Sequence, residues 1–215
     1  MKLVIIDYGL CNLLSVYNAL KFLKVDALVT SNSTHIKEAD AVILPGVGAF
    51  EDGMKGLRAK NLIEPIKDYV RTGKPFLGIC LGMQMLMSKS YEFGEFEGLN
   101  LIPGEVSRFK DETLSTGRGL KIPHVTWNEL HPAAKPWEDT ILEGLHVAQE
   151  MYFVHSYYVC PENSSHILAQ TSYGTQQFCS VVQKDNVYGC QFHPEKSSGA
   201  GLKILLNFAQ LKQRV

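Results

Sequence analysis

Four short stretches of this chain are apolar at nearly every position rather than at every second one: Leu3–Ile6, Ala27–Thr30, Ala41–Leu44 and Pro75–Cys80. A strand of that kind has no face to give to water, so both of its faces must be covered. Between the runs the periodicity changes to that of a helix. Leu13, Val16, Tyr17, Leu20 and Leu23 recur at helical spacing from Asn12 through Phe22, and a second helical region spans Met54–Arg71, with Pro65 opening its second half. Pro45-Gly46 closes the third run, and Leu81–Ser88 reads as helix after the fourth. Strand and helix in alternation predict a parallel sheet with helices on both sides.

The second half is different. Val106–Phe109, Lys121–Val125, Leu145–Ala148, Tyr152–Val159, Ile167–Thr171, Cys179–Lys184 and Val187–Phe192 are closely spaced strand candidates with few helices between them. Asp185-Asn186 suits a hairpin turn, and Gly201–Leu211 closes the chain as an amphipathic helix. The expected class is therefore α/β: a central, mostly parallel sheet flanked by helices, with additional antiparallel strands in the C-terminal half. Neither an internal repeat nor a linker interrupts the pattern, so residues 1–215 read as a single domain. The 215 residues, 45% hydrophobic and 20% charged, suit one such core.

Composition removes several function classes. A formal net charge of −1 leaves no general cationic surface for nucleic acid. Cys11, Cys80, Cys160, Cys179 and Cys190 form no CxxC pair, which argues against a structural zinc site and for reduced thiols. The N-terminal Met-Lys-Leu-Val-Ile-Ile-Asp runs straight into a strand, with no signal-peptide core, and no apolar run is long enough to span a bilayer. A cytoplasmic location and no membrane partner are expected.

The most informative segment is Gly78-Ile79-Cys80-Leu81-Gly82. A cysteine between a strand and a helix, with glycine at i−2 and i+2, is a nucleophile elbow with sulfur in place of oxygen. Side chains at the flanking positions would clash with neighbouring backbone in so tight a turn. A free cysteine is only about 3% thiolate at pH 7, and a helix start favours the anion. The Leu81 amide is placed to donate to an oxyanion. An isolated cysteine is usually a small buried hydrophobe, and that reading suits the other four. No Gly-x-Ser-x-Gly supports a serine hydrolase.

A thiol nucleophile needs a base and a group to orient it. Of the seven histidines, His193 stands in Gln-Phe-His-Pro-Glu, where Pro194 biases it toward an extended backbone. Residues i and i+2 then share a face, which sets Glu195 beside His193. His155 is the second candidate base, read as structural or near the substrate.

Gly-Ile-Cys-Leu-Gly-Met-Gln (78–84) together with Gln-Phe-His-Pro-Glu-Lys-Ser (191–197) resembles the class I, triad-type glutamine amidotransferases. Ile-Asp-Tyr-Gly-x-x-Asn (6–12), Pro-Gly-Val-Gly-Ala-Phe (45–50) and Tyr-Phe-Val-His-Ser-Tyr-Tyr (152–158) are similar to the glutaminase subunits of imidazole glycerol phosphate synthase over essentially the full length. The resemblance implies that Cys80 attacks the carboxamide of L-glutamine, that His193 protonates departing ammonia, and that Glu195 orients His193. It implies an oxyanion loop at Gly46, Val47 and Gly48 with Leu81, and substrate contacts at Gln84 and Glu92. No cofactor or metal is implied.

The implied partner is a cyclase or synthase subunit with a (β/α)8 barrel, bound in a heterodimer. Asn12, His124, Trp127, Tyr152 and Lys196 are carried over as its contact surface. Cys11 and Thr126 stand where the family usually has glycine, both in segments assigned to that surface. A paralogous glutaminase serving a sugar amidotransferase of surface-polysaccharide pathways would share these motifs. An inert binding module would be expected to lack one of the three triad residues, and a nucleotide-binding loop is unsupported because Pro-Gly-Val-Gly matches neither common phosphate-loop pattern.

Overall fold

The computed structural model describes residues 2–10, 12–113, 119–133 and 135–211. The first half runs β1 (Leu3–Ile6), α1 (Leu13–Phe22), β2 (Ala27–Thr30), α2 (Ser33–Glu38), β3 (Ala41–Gly46), α3 (Phe50–Ala59), α4 (Ile63–Arg71), β4 (Phe76–Cys80) and α5 (Leu81–Met85). The second half runs β5 (Lys89–Ser90), β6 (Phe96–Glu97), β7 (Gly104–Arg108), β8 (His124–Pro132), β9 (Gln149–His155), β10 (Tyr157–Pro161), β11 (Ile167–Tyr173), β12 (Gln176–Lys184), β13 (Val187–Cys190) and α6 (Ser198–Gln210). The strands join in the order β2-β1-β3-β4-β13-β12-β10-β7-β5-β6, with β11 on β12, β8 on β11 and β9 on β8. The five strands from β2 to β13 are parallel, and β12, β10, β11, β8 and β9 add antiparallel pairs.

Three of the four continuous apolar runs, those of β1, β3 and β4, are explained by what lies on each side; β2 lies at the edge of the sheet and leaves Leu28 exposed, so its faces are not both covered as its apolar run suggests. Leu3, Ile5, Ala41, Ile43, Leu77 and Ile79 pack into one core cluster with α1 and α6. Their alternate neighbours Val4, Ile6, Val42, Leu44 and Phe76 pack into a second cluster with α2 through α5. Each fully buried Leu, Ile or Phe contributes roughly 1.5–3 kcal/mol, so a polar residue on either face of these strands would be costly. No helix among the described residues is long and apolar enough to cross a membrane.

Several boundaries differ from the sequence expectation. The single helical region Met54–Arg71 is two helices, broken where Asn61 takes φ 53°. Leu145–Ala148 forms no strand; Gly144 and Ala148 both have positive φ, and the strand starts at Gln149. The strand expected at Lys121–Val125 starts at His124 and continues to Pro132. Tyr152–Val159 is divided at Ser156, so that β9 pairs with β8 while β10 pairs with β7 and β12. α2 was not anticipated; Asn32 caps it by accepting from the Thr34 amide at 2.8 Å.

β3 does not stop at Pro45 but runs on to Gly46. Its β1 neighbour pairs only with Ala41–Ile43, so the missing N–H of Pro45 is not needed on that side. On the other side β3 stays in register with β4, placing Gly46 opposite Cys80.

Candidate active site

Cys80 ends β4 with φ 53° and ψ −109°. A residue with a side chain held there stores roughly 1–3 kcal/mol of strain, and only a rigid surround maintains it. The two flanking glycines supply that surround. A Cβ on Gly78 would lie 2.6 Å from the Gly82 carbonyl oxygen, and one on Gly82 would run into the Leu44 carbonyl oxygen. The turn folds onto itself and onto β3, which is why neither position accepts a side chain. The helix that follows is five residues, not the eight expected, because Leu86 and Met87 turn away through bonds to Met83 and Gln84 carbonyls at 3.1 Å. What the helix start offers the sulfur is local: the N–H groups of its first turn, which have no partner within the helix.

β13 brings the second part of the site alongside. Cys190 sits opposite Ile79 in the parallel pair, so the residues after it leave the sheet next to Cys80. The His193 amide donates to the Tyr152 carbonyl at 3.0 Å, and the Ser197 hydroxyl donates to the His193 carbonyl at 2.7 Å. His193 is extended, with φ −98° and ψ 98°, and Pro194–Lys196 then forms a 3-10 turn. His193 and Glu195 therefore meet across a turn rather than on one face of a strand. Nδ1–H of His193 donates to Glu195 Oε1 at 2.8 Å, with the side chains only 3% and 1% exposed.

The other ring nitrogen is left for the Cys80 sulfur, with which His193 is hydrogen-bonded. Burial works against a charged His193 ring, but the bonds to Cys80 and Glu195 outweigh it and hold the imidazolium up to about 10. Cys190, beside Cys80, is driven strongly the other way: burial holds its thiol neutral. The arrangement can generate a thiolate, hold the proton on the ring, and hand it to a leaving group.

One cleft of about 290 Å³ opens over this line, bordered by Val47, Gly48, Cys80, Leu81, Gln84 and Glu92, with His155, Ser156 and Tyr157 across from them. The break between β9 and β10 at Ser156 forms that opposite wall. Gln84 commits both amide hydrogens, to the Tyr157 carbonyl at 3.0 Å and to Gln191 Oε1 at 3.1 Å. Its carbonyl oxygen is thus what it offers the cleft. Glu92 Oε2 accepts the Phe50 amide at 2.6 Å, and burial raises its pKa. Gly48 has φ 103°, a conformation that favours glycine, and a Cβ added there would meet nothing within 4 Å.

His155 is not available as a base. Its Nδ1–H donates to the Tyr157 carbonyl at 2.8 Å, and its Nε2 accepts from His124 Nδ1 at 3.0 Å. His124 Nε2 in turn accepts from the Asn128 amide at 3.3 Å. A carbonyl at one end and an amide donor at the other fix both tautomers and leave both rings neutral. Burial lowers His124 to about 4; His155 goes to about 3, burial outweighing the Tyr157 bond.

The residues carried over as a contact surface divide. Trp127 and Tyr152 oppose each other across β8 and β9 with ring centroids 6.0 Å apart, and Trp127 is 43% exposed. Lys196 is exposed in the turn after His193. Asn12 borders a small cavity of about 10 Å³ behind His193 and Glu195. His124 does not join them at the surface: it is fully buried and stacks on Phe153 at 5.1 Å. Thr126 is exposed on β8, and Cys11 lies outside the described residues.

Sequence reasoning did not single out the His124–His155 chain or the side chain of Gln191, which is fully buried and directs its amide nitrogen at Cys80 Sγ, 3.7 Å away. The signal for Gln191 was its place just past the strand that pairs with β4. No group of three or more His, Cys, Asp or Glu that could hold a metal ion occurs among the described residues.

Residues 4–211 match the family model described as glutamine amidotransferase class-I. The chain is 50% identical to the imidazole glycerol phosphate synthase subunit HisH 1 of Legionella pneumophila strain Lens, across 96% of this chain and 98% of that protein. It is 47% identical to the imidazole glycerol phosphate synthase subunit HisH of Syntrophotalea carbinolica, across 97% of this chain and 100% of the relative. Among solved structures, PurLQS from Thermotoga maritima superposes with a TM-score of 0.68 at 17% identity, covering 96% of this chain and 96% of that one, a likeness of fold.

Proposed function

Because the chain belongs to the class I glutamine amidotransferase family, we infer that it is the glutaminase subunit of an imidazole glycerol phosphate synthase, releasing ammonia from L-glutamine for histidine biosynthesis. Relatives bearing that subunit name match it at 45–50% identity over nearly its whole length. The observation that carries the chemistry is the buried Cys80–His193–Glu195 line on the floor of one cleft.

Glutamine enters with its α-ammonium toward the Gln84 carbonyl oxygen and Glu92. The Cys80 thiolate attacks the carboxamide carbon, and the resulting oxyanion takes hydrogen bonds from the Leu81 amide and an amide of the Gly46–Gly48 loop. His193, protonated and steadied by Glu195, gives its proton to the departing nitrogen as the C–N bond breaks, leaving a glutamyl thioester and ammonia. Neutral His193 then takes a proton from water, whose oxygen attacks the thioester. The C–S bond breaks, glutamate leaves, and the thiolate is restored. The steps draw only on groups of this chain and on water.

The ammonia acceptor sits on a partner cyclase with a (β/α)8 barrel, in a heterodimer with this chain. The support is the exposed Trp127 packed on Tyr152, whose backbone is bonded to the His193 turn. Aromatic anchors are favoured at such interfaces, and this one adjoins the triad.

A diazo-ketone analogue of glutamine tests the reading. One equivalent should add to the chain, at Cys80. Labelling mainly at Cys160 or Cys179 would refute it.

A further inference from the structure

We propose that Gln191 is a positioning residue for the nucleophile: its side-chain amide donates to the Cys80 sulfur and holds it in the thiolate form, in an orientation dictated by Gln84. The proposal rests on the reading of Cys80 as the nucleophile and goes beyond it, since Gln191 belongs to none of the three triad roles.

The orientation of the Gln191 carboxamide follows from its neighbours. The Tyr157 carbonyl can only accept, so one Gln84 amide hydrogen points to it, at 3.0 Å. The second hydrogen on the same nitrogen must find an acceptor, and the group within reach is Gln191 Oε1 at 3.1 Å. With its oxygen thus occupied, Gln191 turns its nitrogen to Cys80 Sγ at 3.7 Å. Reversing either amide would set oxygen against oxygen or nitrogen against nitrogen, so the chain of donors reads in one direction.

The backbone adds rigidity. The Gln191 amide donates to the Ser180 carbonyl at 2.9 Å, and the side chain has no exposed surface. A donor aimed at sulfur favours the anion, because a thiolate accepts hydrogen bonds far better than a thiol. The link also joins the cleft's substrate wall to its reacting atom: the Gln84 side chain that meets glutamine is the one that sets the amide holding the sulfur.

The groups around the sulfur are few. His193 contacts it from the turn after β13, with Glu195 behind the ring. Cys190 approaches from β13. Glu92 borders the cleft on the side of the sulfur, and His155 lines the opposite wall. β3 and α5 bring no charged side chain to it beyond these, since Gly46 is its neighbour on β3 and Leu81–Met85 carry none. Gln191 is therefore an uncharged side-chain donor to a sulfur that otherwise meets the His193 ring and the N–H groups of the helix start.

The test is the rate of Cys80 alkylation by iodoacetamide from pH 5 to 9, read by peptide mass spectrometry on the full-length chain, in the parent and in Gln191→Met. Methionine fills the same space without a donor. The midpoint of the profile, a property of the Cys80–His193 pair, should move to higher pH. Below the midpoint the rate should then fall, while the plateau at high pH stays within about twofold. A role in packing alone would lower the plateau and leave the midpoint in place. Gln84→Met provides a second arm should Gln191→Met fold poorly. It frees the Gln191 amide to rotate and should move the midpoint in the same direction, by less. Profiles that superimpose on the parent's would overturn the assignment of Gln191. A parent chain in which Cys80 does not react at all would instead overturn the reading of Cys80.

Discussion

Replacing Glu195 by glutamine removes one charge and almost nothing else, which makes it a clean probe of how the site handles protons. The carboxylate meets His193 Nδ1 at 2.8 Å, and neither side chain is more than 3% exposed. A hydrogen bond to a charged group contributes about 1.5–3 kcal/mol, and here solvent does not screen it. At 1.36 kcal/mol per decade that is about 10- to 150-fold in kcat. Glutamine's side-chain oxygen can still accept from Nδ1–H, so the ring keeps its place. Glu195 does not border the cleft, so KM should stay within about twofold.

His193→Ala, which removes the proton carrier, should cost at least as much, in the range of about 10²–10⁴ that acid–base catalysis supplies. The pH dependence should move too. Glu195 is one of the two groups holding the imidazolium up to about 10, so without it the ring loses its proton at lower pH. The alkaline limb of kcat should then shift downward. Steady-state glutaminase kinetics in the partner complex, from pH 6 to 10, provide the assay. A Glu195→Gln enzyme with kcat within twofold of the parent and an unmoved profile would refute the argument.

Three further outcomes are expected. His124 and His155 are buried neutral, with pKa values lowered to about 4 and about 3 from 6.5; the unfolded chain therefore binds more protons, and their stabilisation is complete above pH 6.5 and falls away below it. At pH 5.5 each loses about 1.4 kcal/mol, about 3 kcal/mol together; urea melts at pH 7.5 and 5.5 should show the loss, and a His155→Phe chain with the parent's pH dependence would contradict it. If the Gly46–Gly48 loop turns its amide inward only on docking, the isolated chain should run about 10²- to 10³-fold below the complex in kcat with little change in KM; full turnover by the chain alone would rule this out. Trp127→Ala should weaken complex formation by about 2 kcal/mol or more while leaving the melting temperature within a few degrees, checked by titration calorimetry and thermal melts; equal binding would remove Trp127 from the contact surface.

The inner parallel strands β1, β3 and β4 were legible because burial on both faces leaves a run of apolar residues, whereas β2 carries a similar run at the sheet edge with Leu28 exposed. The elbow was legible because Gly78 and Gly82 answer to backbone contacts that no other residue permits. Glu195 lies beside His193 as the His-Pro-Glu spacing suggests, but only His193 is extended and the pair closes over a 3-10 turn. Where the sequence misled, local signals competed with tertiary ones. Leu145–Ala148 is apolar enough for a strand but ends in a positive-φ turn at Ala148. β8 carries Trp127 and Val125 on exposed positions, so its alternation does not separate core from surface. His124 was assigned to the surface by family likeness, and only the packing under Phe153 reveals that it is buried. Gln191 was invisible as a functional group because its role depends on the direction of two amides more than a hundred residues apart.

If this chain makes ammonia at Cys80 and a partner uses it, losing the thiol should separate the two nitrogen sources. The direct measurement is synthesis by the complex carrying Cys80→Ala, with glutamine and, separately, with an ammonium salt as nitrogen source. Glutamine-dependent synthesis should vanish while ammonia-dependent synthesis proceeds at the parent's rate. Retained glutamine-dependent synthesis would contradict the assignment of Cys80 as the nucleophile.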